Sequence, residues 1–163
     1  INNLQKEKEA LRNEIAKLKT ENNPEVQNIA ALDDLFDIRY QCYIPKRGSR
    51  AGYYTDDTCS VTWKAIFYEI SPVLMKTMHV DALKREVEKR ISAYTHHAGL
   101  SLKIDPSNFD TILIQLKVLN LIMYKELNLK DGGTGMFCRL TPFGEKTMIE
   151  IRTVQKMQEE LEQ

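Results

Sequence analysis

The spacing of apolar residues predicts a heptad repeat at the start of the chain. Leucines recur every seven residues at Leu4, Leu11 and Leu18. Between them, the a positions hold Ile1, Lys8, Ile15 and Asn22. Leu at d with Ile and one Asn at a favours a parallel two-stranded coiled coil, because paired Asn side chains fix register and oligomeric state. The pattern predicts a coiled-coil helix over residues 1–23, which Pro24 ends.

A single amphipathic helix packed on its own domain would give the same spacing. Three heptads with Lys8 in the seam also make a weak dimer by themselves, so both interpretations stay open. We expect self-association, with a dimer favoured. The interface residues would be Ile1, Leu4, Leu11, Ile15, Leu18 and Asn22. Residues 24–35 are interpreted as a linker or a short helix.

A period of two follows the linker. In LFDIRYQCYI, one face is shared by Phe36, Ile38, Tyr40, Cys42 and Ile44, which predicts a half-buried strand. A second β-rich run, AGYYTDDTCSVT, lies beyond the loop sequence PKRGSRAG. Pro and Gly punctuate loops, so residues 36–62 are predicted to form a β-hairpin.

The tip of this hairpin concentrates positive charge. Lys46, Arg47 and Arg50 lie close together beside glycines, and such cations could bind a phosphate or an acidic partner. A solvated loop would have the same composition. Because no other segment outside the predicted helices is as basic, we take the tip as the first candidate contact site.

A helical period begins near Trp63. Ser60 or Thr62 can cap the first helix, and Pro72 should kink or divide it. The next helix should start near Asp81 and stop at Gly99.

The third helix should be capped by Asp105 and run to about Asn120. Two short β-rich runs then flank the turn DGGTG, which is a hairpin signal. Thr141 and Pro142 begin a helix expected to reach the end of the chain. Three helices, a two-stranded wing and a helix are the order of a winged helix-turn-helix domain, predicted over residues 63–163. The expected fold class is therefore α+β, mainly α.

In a gene regulator, the third helix would lie in the DNA major groove. Here Ile114 and Val118 occupy the middle of its outward side, flanked by Asp110. Reading bases requires fork donors such as Arg, Lys, Asn or Gln. An exposed apolar pair is more typical of a protein interface, so we predict that Ile114 and Val118 bind a protein partner.

Net charge supports the same interpretation. The chain has 23 basic and 23 acidic residues, whereas nucleic-acid binders usually carry a basic surface. On the second helix, the run from Lys84 to Arg90 mixes four cations with Glu86 and Glu88, which is typical of a solvated helix face. Nucleic acid is thus the less favoured partner. The alternative function is a dimeric winged-helix DNA-binding transcription regulator.

Motifs for catalysis are not found in the sequence. It has no phosphate-binding loop, nucleophile elbow or zinc-protease motif. His96 and His97 lack metal-ligand spacing relative to the three cysteines, and the Asp56–Asp57 pair is interpreted as a turn. We therefore expect no catalytic residue, no metal and no cofactor. Widely spaced thiols and the lack of a long apolar run suggest a cytoplasmic protein without a membrane segment.

Four stretches, kept in order, also resemble a family. They are SVTWKAIFYEISPVLM, FDTILIQLKVLNLI, DGGTGMFCRLTPFGEKTM and the coiled stretch that leads into the strands. Over nearly its whole length the chain resembles the C-terminal region of bacterial proteins whose N-terminal half is a TIR-like domain of unknown function (family 4062). The resemblance implies a module behind an intracellular TIR-like domain, in signalling or antiphage defence. Since the chain begins with Ile, we also expect a part upstream.

Overall fold

The computed structural model describes residues 2–22 and 29–153, with side chains described for 2–18 and 29–153. The chain divides into two compact units, Ile1–Ala31 and Leu32–Gln163. The first unit contains helix α1 (Asn2–Asn22). The second contains, in chain order, β1 (Leu35–Pro45), β2 (Gly52–Thr62), α2 (Trp63–Ile70), β3 (Met78–His79), α3 (Val80–Ile91), β4 (Leu102–Ile104), α4 (Pro106–Val118), β5 (Ile122–Asn128), β6 (Thr134–Leu140) and α5 (Pro142–Arg152).

Helix α1 follows the heptad segment. It has 21 residues, which corresponds to roughly 32 Å at 1.5 Å per residue. Its predicted last residue, at position 23, and the proline that should end it lie outside the described residues.

The first sheet contains the predicted hairpin. Strands β1 and β2 pair in antiparallel register along all 11 residues of each. The alternation places Ile38, Tyr40 and Cys42 in the interior, which confirms the half-buried strand. Strand β4 pairs antiparallel with β1, so the strand order is β2-β1-β4. The sequence did not indicate β4.

The second sheet consists of the other predicted hairpin and one short strand. Strands β5 and β6 pair antiparallel from Ile122 opposite Leu140 to Asn128 opposite Thr134. Strand β3, between α2 and α3, pairs with β6, which gives the order β3-β6-β5. Two residues are too few to show a period, so β3 was not predicted.

Side chains cap the starts of α2 to α5. At α3, Nδ1 of His79 accepts a 3.1 Å hydrogen bond from the backbone N–H of Asp81. Thr62, Asp105 and Thr141 accept hydrogen bonds of 2.8–3.3 Å from backbone N–H groups at the starts of α2, α4 and α5. These bonds satisfy N–H groups that have no partner within a helix. The predicted caps of α4 and α5 are confirmed, and Thr62 rather than Ser60 caps α2.

Pro72 divides the first predicted helix. Helix α2 ends at Ile70, and a separate 3-10 turn covers Val73–Met75. Proline cannot continue the hydrogen-bond ladder of a helix.

The helix predicted from Asp81 to Gly99 is shorter than expected. Helix α3 ends at Ile91 and a 3-10 turn follows at Ser92–Tyr94. The Ser92 hydroxyl accepts from the N–H of Gly99 at 3.2 Å and donates to the carbonyl of Leu100 at 3.4 Å. These bonds fold the loop back over the end of α3, so the chain turns toward β4.

The last helix is also shorter than expected. Helix α5 ends at Arg152, because Thr153 is extended and its hydroxyl donates to the carbonyl of Ile149. Residues 154–163 lie outside the described residues.

The core of the second unit draws on both sheets and on α2 to α5. The rings of Phe36 on β1 and Trp63 on α2 stack at 4.5 Å between centroids. Among the buried apolar side chains are Ile38, Ile66, Phe67, Leu83, Ile112, Leu116, Ile122 and Met148. Among the described residues, no helix has both the length and the hydropathy for crossing a bilayer.

Candidate interaction surfaces

Helix α4 has one buried and one outward side. The side chains of Phe109, Ile112, Leu113 and Leu116 are buried. On the outward side Ile114 is 60% exposed, between the exposed Asp110 and Lys117. Ile114 is therefore an accessible apolar group, as the sequence predicted.

Val118 is less accessible than the sequence suggested. It is the last residue of α4, and its side chain is half-buried. Leu119, which follows it, is also half-buried. The outward side of α4 thus presents one exposed aliphatic residue rather than an apolar pair.

The β5–β6 hairpin beside α4 carries charges of both signs. Its exposed cations Lys125 and Arg139 are accompanied by Glu126, which accepts a 2.7 Å hydrogen bond from the Thr134 hydroxyl. The Lys117 ammonium lies 4.9 Å from the centre of the Tyr124 ring, a cation–π contact that links α4 to β5. Burial raises the pKa of Tyr124 to about 12, and the nearby Cys138 and Asp110 act in the same direction.

The tip of the first hairpin combines aromatic and basic side chains. We call residues 43–54 the hairpin tip. Its cations Lys46, Arg47 and Arg50 are exposed, as the sequence predicted. Tyr53 and Tyr54 are 58% and 66% exposed. Tyrosines are frequent in binding hot spots because they combine apolar area with a polar end.

A third tyrosine supports the tip. The Tyr43 and Tyr54 rings pack edge to face at 5.2 Å between centroids. A Cβ at Gly52 would lie 2.5 Å from the Tyr43 ring, so the ring covers this glycine closely. The sequence pattern indicated only the cations. The alternation along β1 and β2 was the available signal. It places Tyr43 on the other face of the sheet from its buried neighbour Cys42.

Helix α1 exposes the apolar stripe that the heptads predicted. Leu4, Leu11, Ile15 and Leu18 are 50–74% exposed. Ile1 and the side chain of Asn22 lie outside the described residues.

A polar cluster lies on the inner side of the first sheet. The Tyr40 hydroxyl lies 3.1 Å from Nδ1 of His97 and donates to Asp57 at 3.4 Å. Burial raises the pKa of Tyr40, and the Asp57 carboxylate adds to this effect. The Asp56–Asp57 pair, expected to form a turn, lies in β2, because β2 continues through it in full register with β1. The cluster joins the loop after α3 to the sheet.

The thiols are separated from one another. Cys42 and Cys59 are buried in the first sheet and Cys138 in the second, and all three are free. Burial raises the pKa of each thiol, for Cys138 to about 11. Within the described residues, no three His, Cys, Asp or Glu side chains are arranged to hold a metal ion.

The order of elements defines the class of the second unit. Helix α2, strand β3, helices α3 and α4, and the β5–β6 hairpin follow one another, with β3 at the edge of the β3-β6-β5 sheet. This is a winged helix-turn-helix domain with α4 before the wing, in an α+β fold. The fold class predicted from the sequence is confirmed.

Comparisons with known proteins add little to this class. Neither a protein-family model nor a curated protein matches the chain. Among solved structures, the chain is similar to Bacillus subtilis PadR in complex with operator DNA, with a TM-score of 0.41 and 13% identity. The similarity covers 61% of this chain and 54% of that one. The class assigned above follows from the topology alone.

Proposed function

We propose that this chain is a non-enzymatic oligomerisation and partner-binding module. In this proposal α1 pairs with a second copy in a coiled coil, and the winged-helix domain binds a protein partner. The observation that carries the first part is the apolar stripe of α1, whose four described members are at least half exposed. Pairing two such stripes would remove them from water, which is the main driving force of a coiled coil.

Light scattering on the whole chain tests self-association. The wild type should have the mass of a dimer, and the Leu11→Ala/Leu18→Ala variant should be monomeric at the same concentration. Lys17→Ala on the same helix is the matched control, because Lys17 is exposed and lies outside the a and d positions. A monomeric wild type, or a double variant that stays dimeric, would contradict the proposal.

The hairpin tip and the exposed side of α4 are the proposed partner surfaces. Three cations and two exposed tyrosines occupy the tip, and residues 43–54 contain no acidic residue. Charge complementarity therefore favours an acidic protein segment. On α4, the exposed Ile114 would pack against an apolar side chain of the same partner.

Peptide display tests this partner class directly. Peptides selected from a random library on the whole chain should be enriched in Asp and Glu. Their binding should weaken at least tenfold in Arg47→Ala/Arg50→Ala and be unchanged in Lys64→Ala, an exposed lysine on α2. If the selected peptides had no acidic bias, or bound Arg47→Ala/Arg50→Ala as tightly as Lys64→Ala, the hairpin tip would not be a partner surface.

Duplex DNA is the second candidate partner. Winged-helix topology favours it, because α4 precedes the wing with Ser107, Thr111 and Lys117 exposed. In that case two copies would form a dimeric transcription regulator that reads two half-sites. Against it stands the charge of the same face, where Asp110, Glu126 and Asp131 oppose a similar number of cations.

Binding to random duplex, measured between 50 and 200 mM salt, separates the two candidates. A protein that makes six to ten phosphate contacts loses about 10³- to 10⁵-fold in affinity over this range. We expect no such binding at micromolar protein. Steep salt dependence that is reduced by Lys117→Ala and Arg139→Ala would establish the DNA regulator and refute protein binding as the function of this face.

We also propose that the chain lies behind a TIR-like domain in a cytoplasmic signalling or defence protein. The support for this is the sequence resemblance alone. Clustering through α1 would raise the effective concentration of the upstream domains. In the full-length gene product, Leu11→Ala/Leu18→Ala should then lower any activity of the upstream domain while leaving its fold intact.

A further inference from the structure

A groove lies between α3 and β4, and its lining residues are distinct from those of the proposed partner surfaces. Its volume is about 710 Å³. One wall is the face of α3 that carries Lys84, Arg85, Glu88 and Lys89, and the other is the segment from Gly99 to Lys103. Small-molecule sites typically have volumes of about 300–1,000 Å³, so the groove has the size of a ligand site.

The groove is basic. Among the described residues, four cations and a single carboxylate line it, whereas the sequence indicated only a mixed, solvated run. Arg90 and Glu86, the other members of that run, form an ion pair at 3.2 Å, and Arg90 also donates to the carbonyl of Glu69 on α2. The cations of the run are thus divided, and positive charge is in excess on the groove side.

Glu88 is the carboxylate that lines this basic groove. Burial raises its pKa, while Lys84, a hydrogen bond from the backbone N–H of Ile104, Lys103 and Arg85 oppose that rise. The half-buried carboxylate is an acceptor that a ligand hydroxyl could use.

We infer that this basic groove binds a small phosphorylated ligand with free hydroxyl groups, of the sugar-phosphate class. Its phosphate would lie among Lys84, Arg85 and Lys103, and a hydroxyl would donate to Glu88. The described residues that line the groove include no aromatic side chain that would stack on a base. The ligand would bridge α3 and β4 and stabilise the winged-helix domain against the first sheet.

The excess of positive charge does not continue beyond the groove. On its other side Lys103 borders a second cavity of about 670 Å³, where Asp56, Asp57 and Asp105 outnumber the two cations Arg39 and Lys103. A nucleic-acid backbone requires cations along several successive phosphates, and these aspartates would repel its continuation. One or two phosphate groups suit the geometry better than a polymer.

Isothermal titration calorimetry on the whole chain tests the site with ribose 5-phosphate and inorganic pyrophosphate as probes. Both should bind, and both should raise the melting temperature more than KCl of equal ionic strength does. Lys84→Gln/Lys103→Gln should weaken both probes at least tenfold. Lys64→Gln, which removes an exposed lysine outside the groove, should leave both affinities unchanged.

A second variant guards against loss by misfolding. Glu88→Gln removes the carboxylate that repels anions, so pyrophosphate should bind severalfold more tightly, and the affinity for ribose 5-phosphate relative to pyrophosphate should fall. Heat effects no larger than with KCl, or affinities unchanged by the groove variants, would refute the site. If the wild type bound duplex DNA and Lys84→Gln/Lys103→Gln did not, the groove would be a binding site for a nucleic-acid backbone, and the proposal would be wrong.

Discussion

At the scale of single residues, Gly144 shows why a glycine is required at the start of α5. A Cβ at this position would lie 1.9 Å from the carbonyl oxygen of Leu121, so the backbone of α5 lies directly against the turn after α4. We expect Gly144→Ala to lower the free energy of unfolding by about 1–3 kcal/mol, because the backbone must move apart. Guanidinium denaturation measures this. Lys146→Ala, exposed on the same helix, should change stability by no more than about 0.5 kcal/mol.

Tyr124 gives the domain a dependence on alkaline pH. The pKa of this tyrosine is about 12 in the folded chain against an ordinary value of 10.0, so the folded state retains the proton longer than the unfolded state. Its contribution to stability is complete below pH 10 and is lost as pH rises toward 12. Across this range the wild type should therefore lose stability more steeply than Tyr124→Phe. If stability fell equally steeply with pH in the two proteins, the raised pKa of Tyr124 would be contradicted.

At the scale of elements, the sequence predicted the helices and strands that are marked by a local signal, such as a repeating apolar period or a capping residue. The heptads of α1, the alternation of β1 and the caps Asp105 and Thr141 all act within a few residues, and the structure places each element there. Strands β3 and β4 are two and three residues long, and each forms because a distant strand offers an open edge. The basic groove has the same origin, since Lys103 reaches α3 only when β4 pairs with β1.

The cap of α4 provides a test at this scale. The Asp105 carboxylate accepts from the N–H groups of Ser107 and Asn108. Asp105→Ala should lower the free energy of unfolding by about 0.5–2 kcal/mol, and Asp105→Asn by clearly less, because Asn also caps helices well. Thermal unfolding of the three proteins measures the difference. Equal losses in both variants would show that charge, rather than capping, is the contribution of Asp105.

At the scale of the whole molecule, the first sheet and the winged helix belong to one compact unit, Leu32–Gln163. Strand β4 pairs with β1 and leads directly into α4. Phe36 of β1 stacks on Trp63 of α2. Side chains of both sheets are therefore buried in a common core, and loss of one sheet should expose the other.

Three buried thiols report on this cooperativity. Cys42 and Cys59 lie in the first sheet and Cys138 in the second, so labelling followed by mass spectrometry distinguishes the two. Ile38→Ala in β1 removes a fully buried side chain and should lower stability by about 2–5 kcal/mol. In a guanidinium titration, all three thiols should become reactive at the same guanidinium concentration. Ile38→Ala should lower this concentration by the same amount for each thiol.

Thr58→Ala, on the exposed face of β2, is the control and should shift this guanidinium concentration far less. If Cys138 stayed protected after the other two had reacted, the winged helix would be a separate folding unit, and a ligand in the basic groove could not stabilise both sheets together.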